Sequence, residues 1–131
     1  MRGCACRGTA GFAHVSCLAE QAKILVAEAD AWGLINLRRF DKARTLLRKT
    51  MPVARRALGA EHDLTLNFRD IYGRCLYRDD NASRGDVVEA IEILEDVQRR
   101  VRRVFGPGHP DWTTLPGHLE AAREKLAGFD T

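Results

Sequence analysis

The sequence predicts an all-α fold: antiparallel helical hairpins stacked as a short solenoid. Three observations predict it. Apolar residues recur at intervals of three and four from Leu18 almost to the end, the period of one helix face. Glycine, proline and short polar residues cluster in a few places between those stretches and punctuate them. Two of the interruptions also look alike, "ALGAEHDLTL" around Gly59 and "VFGPGHPDWTT" around Gly106. Superposing Gly59 on Gly106 superposes His62 on His109, both pairs 47 residues apart. Self-similarity at such a period marks stacked helix pairs, each burying an apolar face on its neighbour.

The first helix begins near Leu18. Leu18, Ala22, Leu25 and Ala29 form its expected inner stripe, continued by Trp32 and Ile35. Arg38 to Asp41 reads as a turn, with Asp41 placed to cap the next helix. That second helix carries Ala43, Leu47, Met51, Ala54 and Leu58 inward. Pro52 inside it removes one backbone hydrogen bond and should bend it. Gly59 then ends it, because glycine tolerates the left-handed cap conformation. The third helix runs from about Leu64 to Tyr77 with Leu64, Phe68, Ile71, Tyr72 and Cys75 on one face. "RDDNASRGD" (78–86) reads as a polar loop. The fourth helix has the clearest pattern, Val87, Ala90, Ile91, Leu94, Val97, Val101, Val104 and Phe105, and "GPGHPD" breaks it. A last helix over roughly Thr114 to Ala127 turns Leu115, Leu119, Ala122 and Leu126 inward.

Bulk composition fits one modest soluble domain. The chain has 131 residues, 45% hydrophobic and 30% charged, with 21 Lys and Arg against 18 Asp and Glu. A formal charge of +3 is too small an excess for a dedicated nucleic-acid binder. No apolar run approaches the ~18 residues of a membrane span. No secretory signal is evident, and the cysteine pattern is not that of a disulfide framework, so a reducing, intracellular and cytoplasmic setting is expected.

The tract from about 24 to 127 resembles tetratricopeptide repeats of the longer, kinesin-light-chain-like type. The resemblance rests on Leu58-Gly59 with His62, Phe105-Gly106 with His109-Pro110, Phe40-Asp41-Lys42-Ala43, and Gly85 through Glu89-Ala90. It implies a protein–protein interaction module over residues 20–131, with a protein or peptide partner lying in a groove lined by the first helix of each pair. Asn67, Asp70 and Arg74, three and four apart on the third helix, match the groove-facing positions and are the candidate peptide contacts. The last helix, with Glu120, Arg123, Glu124 and Lys125 on one side, suits a closing cap.

Residues 1–19 pose a separate question. Cys4, Cys6, His14 and Cys17 have the types and number that a tetrahedral zinc ion takes. Their spacing, with "RGT" and "HVSCL" around them, resembles the middle of a RING-CH finger, the zinc fold of a class of ubiquitin ligases. That family needs a further Cys-x2-Cys pair on each side and cross-braces two ions. By that pattern, His14 with Cys17 supply half of one site and Cys4 with Cys6 half of the other. An incomplete finger gives no rigid surface for a ubiquitin-conjugating enzyme, so the expectation leans away from enzyme activity. Closure of all four residues around a single zinc is the other arrangement the count allows. The competing functional reading is a RING-CH ubiquitin ligase whose repeats recruit substrate, seen as an incomplete chain.

The remaining candidates have structural explanations. His62 and His109 occupy equivalent positions between helices, where capping is the expected role. His118 is expected on a helix surface and Cys75 in the core. "RRVRR" (99–103) is expected to spread over a solvated face, offset by Glu92, Glu95 and Asp96 one turn earlier. "SRGD" (83–86) reads as turn chemistry. Ser-His-Asp order, HExxH, phosphate-binding glycine loops and EF-hand loops do not occur in the sequence.

Overall fold

The computed structural model describes residues 15–130, with side chains from Ala19 onward. Five α-helices follow in order: α1 (Val15–Asn36), α2 (Phe40–Leu58), α3 (Asp63–Arg78), α4 (Arg84–Phe105) and α5 (Leu115–Phe129), with one 3₁₀ turn, Pro110–Trp112, ahead of α5. No strand occurs among the described residues. Each helix packs on the next, and α3 also touches both α1 and α5. The result is two hairpins and a closing helix, stacked around α3.

Position decides how much of each helix is buried. Every residue from Asp70 to Tyr77 of α3 is buried, because neighbours cover that half of the helix on all sides. Gly73 makes the closest approach: a Cβ there would stand 3.0 Å from the Leu94 side chain of α4. The flanking helices bury single stripes, Ala43, Leu47, Ala54 and Leu58 on α2 and Val87, Ala90, Leu94, Val97 and Val101 on α4. Each large apolar side chain so removed from water contributes roughly 1.5–3 kcal/mol.

α1 departs from its expected stripe. Ile24, Ala31 and Ile35 face the core, while Leu25 is 49% exposed and Ala22 and Ala29 point to solvent. Between Ala19 and Asn36 only Glu20, Lys23, Glu28 and Asp30 are charged. An almost uniformly apolar helix has no polar face to fix its rotation from sequence, so packing on α2 and α3 chooses it.

The caps follow local chemistry. Asp41 sits inside the first turn of α2 rather than capping it; Arg39 takes that place without a side-chain bond. The turn before it closes by Arg39 N–H donating to the Leu34 carbonyl at 2.8 Å, with Arg38 at φ 57°. Pro52 lies within an unbroken α2. Gly59 and Gly106 end α2 and α4 at φ 97° and 83°, a region open to glycine. "SRGD" is the start of α4, not a turn: Ser83 Oγ accepts from Asp86 N–H and the Asp86 carboxylate accepts from Ser83 N–H, a capping box. The loop 78–86 thereby shrinks to 79–83. Within it, Asp79 is buried and accepts from Arg44 at 2.9 Å, and Lys125 Nζ of α5 donates to the carbonyls of Tyr77 and Asp79.

Candidate functional site

The first helices of the hairpins, α1 and α3, and the closing helix α5 share one side of the stack, and polar side chains converge there. Asp70 and Arg74 lie one turn apart on α3. The Arg74 guanidinium grips the Asp70 carboxylate with two bonds, Nε to Oδ1 at 3.2 Å and a terminal nitrogen to Oδ2 at 2.8 Å. The same terminal nitrogen donates to Thr114 Oγ1 at 3.1 Å, just ahead of α5, and the guanidinium lies over the Trp32 ring of α1, 5.0 Å from its centroid. One arginine thus joins α1, α3 and α5. The pair is almost wholly buried, with side-chain exposures of 10% for Arg74 and 2% for Asp70. Burial pushes the Asp70 carboxyl up, and Arg74 opposes that shift. Removing either partner would leave the other charge stranded.

Asn67, one turn earlier on α3, is half-buried and donates to Glu28 Oε2 of α1 at 2.6 Å. A hollow of about 200 Å³ opens beside it, lined by Glu28, Asp63, Leu64, Asn67, Asp111 and Trp112. Three carboxylates therefore face one small space. Neither Glu28 nor Asp111 has a cationic partner among the described residues.

At the other end of the same side, Tyr77 Oη and His118 Nδ1 stand 2.5 Å apart and tie α3 to α5. His118 is half-buried rather than on the helix surface, because the α5 stripe rotates it toward Tyr77. Burial lowers its pKa to about 4, helped by the charges of Arg74 and Arg78.

Of the three sequence candidates, the structure places Asn67 at the edge of the hollow and Asp70 with Arg74 further along α3, engaged with each other and not among the residues that line it. Sequence reasoning missed Glu28, Trp32 and Thr114, which come from other parts of the chain. Their only signal was position on, or next to, the helices that line this side. Cys4, Cys6 and His14 lie outside the described residues, as does the side chain of Cys17, whose backbone belongs to the first turn of α1. Among the described residues no group of three or more His, Cys, Asp or Glu could hold a metal ion. Cys75 is fully buried, and burial pushes its thiol up to about 12, so it is no nucleophile near neutral pH.

The histidines between helices are caps. His62 Nδ1 accepts from Leu64 N–H at 3.1 Å and His109 Nδ1 from Asp111 N–H at 3.2 Å. The basic run of α4 is offset, though not as expected throughout. Asp96 takes Arg99 and Arg100 from α4 and Arg69 from α3, Glu61 takes Arg100 and Arg103, and Glu95 pairs with Arg123 of α5. No helix among the described residues is long and apolar enough to cross a membrane.

The tetratricopeptide repeat profile matches the chain twice, over residues 31–63 and 81–111. Each match ends at the joint that follows a hairpin, in the segments that carry Gly59 with His62 and Gly106 with His109. Neither match reaches the cysteine-rich segment. No curated protein and no solved structure matches the chain.

Proposed function

We propose that this chain is a protein–protein interaction module that receives a peptide on the side formed by α1, α3 and α5. Support comes from the two tetratricopeptide repeats, a unit that generally binds protein partners, and from the convergence of polar side chains on their first helices. Asn67 is the candidate contact for a peptide backbone. Asp70 and Arg74, paired further along α3, tie that helix to Trp32 of α1 and to Thr114 ahead of α5. Glu28, Asp63 and Asp111 around the hollow favour a segment carrying Lys or Arg.

The test is a titration of the ¹⁵N-labelled chain with a lysine-rich peptide and with its glutamate-rich counterpart. The lysine peptide should shift the amides of Glu28, Asn67 and Asp111 and bind more weakly as salt rises. Glu28→Lys with Asp111→Lys should remove the binding. Equal response to both peptides, or shifts away from this side, would sink the proposal.

A second reading rests on the spacing of Cys4, Cys6, His14 and Cys17. If these belong to a RING-CH ubiquitin ligase, the complete finger, with the further Cys-x2-Cys pair on each side, should carry about two zinc ions; closure of the four residues around one site gives about one, and the interaction reading alone none. Metal analysis separates these outcomes.

A further inference from the structure

The two repeats leave hollows at equivalent places and fill them differently. In the first, Met51, Pro52, Arg55 and Arg56 of α2 with Thr65 and Arg69 of α3 line a concavity of about 580 Å³. Moving along the chain by the 47-residue offset takes Met51 to Gln98, Arg55 to Arg102, Thr65 to Trp112 and Arg69 to Pro116. All four of those residues line the corresponding hollow of the second repeat, which measures about 260 Å³. Where the second repeat has the indole of Trp112, buried against Phe105, the first has only the small Thr65. The first hollow lacks an aromatic ring that its twin supplies for itself.

Two further observations bear on the occupant. Arg69 is held by Asp96 at 2.6 Å, but Arg55 and Arg56 are exposed and have no carboxylate partner among the described residues. Thr65 is 3% exposed, and its hydroxyl has no hydrogen-bond partner among the described residues. An unpaired buried hydroxyl is costly, so Thr65 fills this place poorly. Apolar walls and two guanidiniums with no carboxylate partner among the described residues make the polarity of an organic-anion site.

We propose that this hollow binds a small aromatic anion: a flat apolar body of indole or naphthalene size that carries one carboxylate. The ring takes the place Trp112 takes in the second repeat, and the carboxylate meets Arg55 and Arg56. This site lies between α2 and α3, apart from the peptide surface on α1, α3 and α5, and stands whether or not that surface binds a peptide.

The probe is 2-naphthoate, titrated calorimetrically into the full 131-residue chain, with the cation 2-naphthylmethylamine as control. Saturable one-site binding at about 1 mM or tighter is expected for the anion, in line with a ligand of this size, and at least tenfold weaker binding for the cation. Arg55→Glu with Arg56→Glu, both on the surface, should weaken naphthoate at least tenfold at unchanged helicity. Thr65→Trp, which copies the second repeat, should abolish binding; should that variant not fold, the arginine pair decides. No saturable binding of naphthoate, equal binding of the cation, or binding that survives the arginine reversal would overturn the proposal. So would binding of an acidic aromatic peptide in a protein that ignores naphthoate.

Discussion

The joint after α2 and the joint after α4 have one backbone and two interiors. Gly59 and Gly106 adopt φ 97°, ψ 157° and φ 83°, ψ 166°, and each donates its N–H back to an arginine carbonyl, Arg55 or Arg102. Three residues on, His62 and His109 cap the next helical segment through the same Nδ1 bond. After that the two diverge. The first runs straight into α3, with Thr65 on the floor. The second makes a 3₁₀ turn that delivers Trp112 against Phe105, whose ring also meets His109, before α5 begins. Backbone geometry is thus repeated from the glycine to the polar cap, and beyond it both the backbone and the side-chain volume differ.

The most severe way to break this comparison is to empty the filled joint. Trp112→Ala should cost about 3 kcal/mol, the low end for loss of a buried tryptophan because the ring keeps some exposure; urea unfolding measures it. Replacing the two glycines comes next. At these φ and ψ values an L side chain is strained even where nothing clashes, and a Cβ at Gly106 would meet open space. Gly59→Ala and Gly106→Ala should each cost about 2 kcal/mol, by nearly equal amounts if the joints are equivalent.

The links to α3 sharpen the contrast further. α1 is joined by Asn67 with Glu28, whereas α5 is joined by Tyr77 with His118. The His118 pKa falls from 6.5 to about 4 on folding, so the folded state prefers the neutral ring. The unfolded chain binds the extra proton between those values. Stability from this group is therefore full above about pH 6.5 and is lost as pH falls toward 4. Discounted for its partial exposure, the loss should reach about 1–2 kcal/mol, and His118→Gln should flatten the profile of midpoint against pH.

Thr65→Val carries the opposite sign. It swaps an unpartnered buried hydroxyl for a methyl of the same shape and should stabilise by about 1 kcal/mol, where a change at Trp112 destabilises. The smallest effects belong to the caps. His62→Ala and His109→Ala should each cost about 0.5–1 kcal/mol, and a clear difference between them would show that the joints are not equivalent after all.

Much of this architecture could be read from residues. The offset that pairs Gly59 with Gly106 and His62 with His109 located both joints, and the strong stripe of α4 placed its helix. What escaped depended on neighbours. The rotation of α1 was not legible because its composition is nearly the same all round. The burial of Asp70 and Arg74 was not legible because their partners, Trp32 and Thr114, are distant in sequence. Ser83 and Asp86 did carry a signal, the S-x-x-D spacing of a capping box, and reading them as a turn missed it. The substitution of Trp112 for Thr65 was also visible at the same offset, once the repeat was extended three residues past the histidines.

The placement of α3 has a consequence for how the molecule comes apart. Solenoids can ordinarily melt from an end, one unit at a time, because each unit meets only the next. Here the middle helix is common property of both hairpins and is gripped by the first and last helices as well. Peeling away any outer piece uncovers that shared helix and its sealed Asp70–Arg74 charges, so partial melting gains little. The chain should lose its structure in one transition, with amide exchange in 70–77 as slow as global unfolding permits.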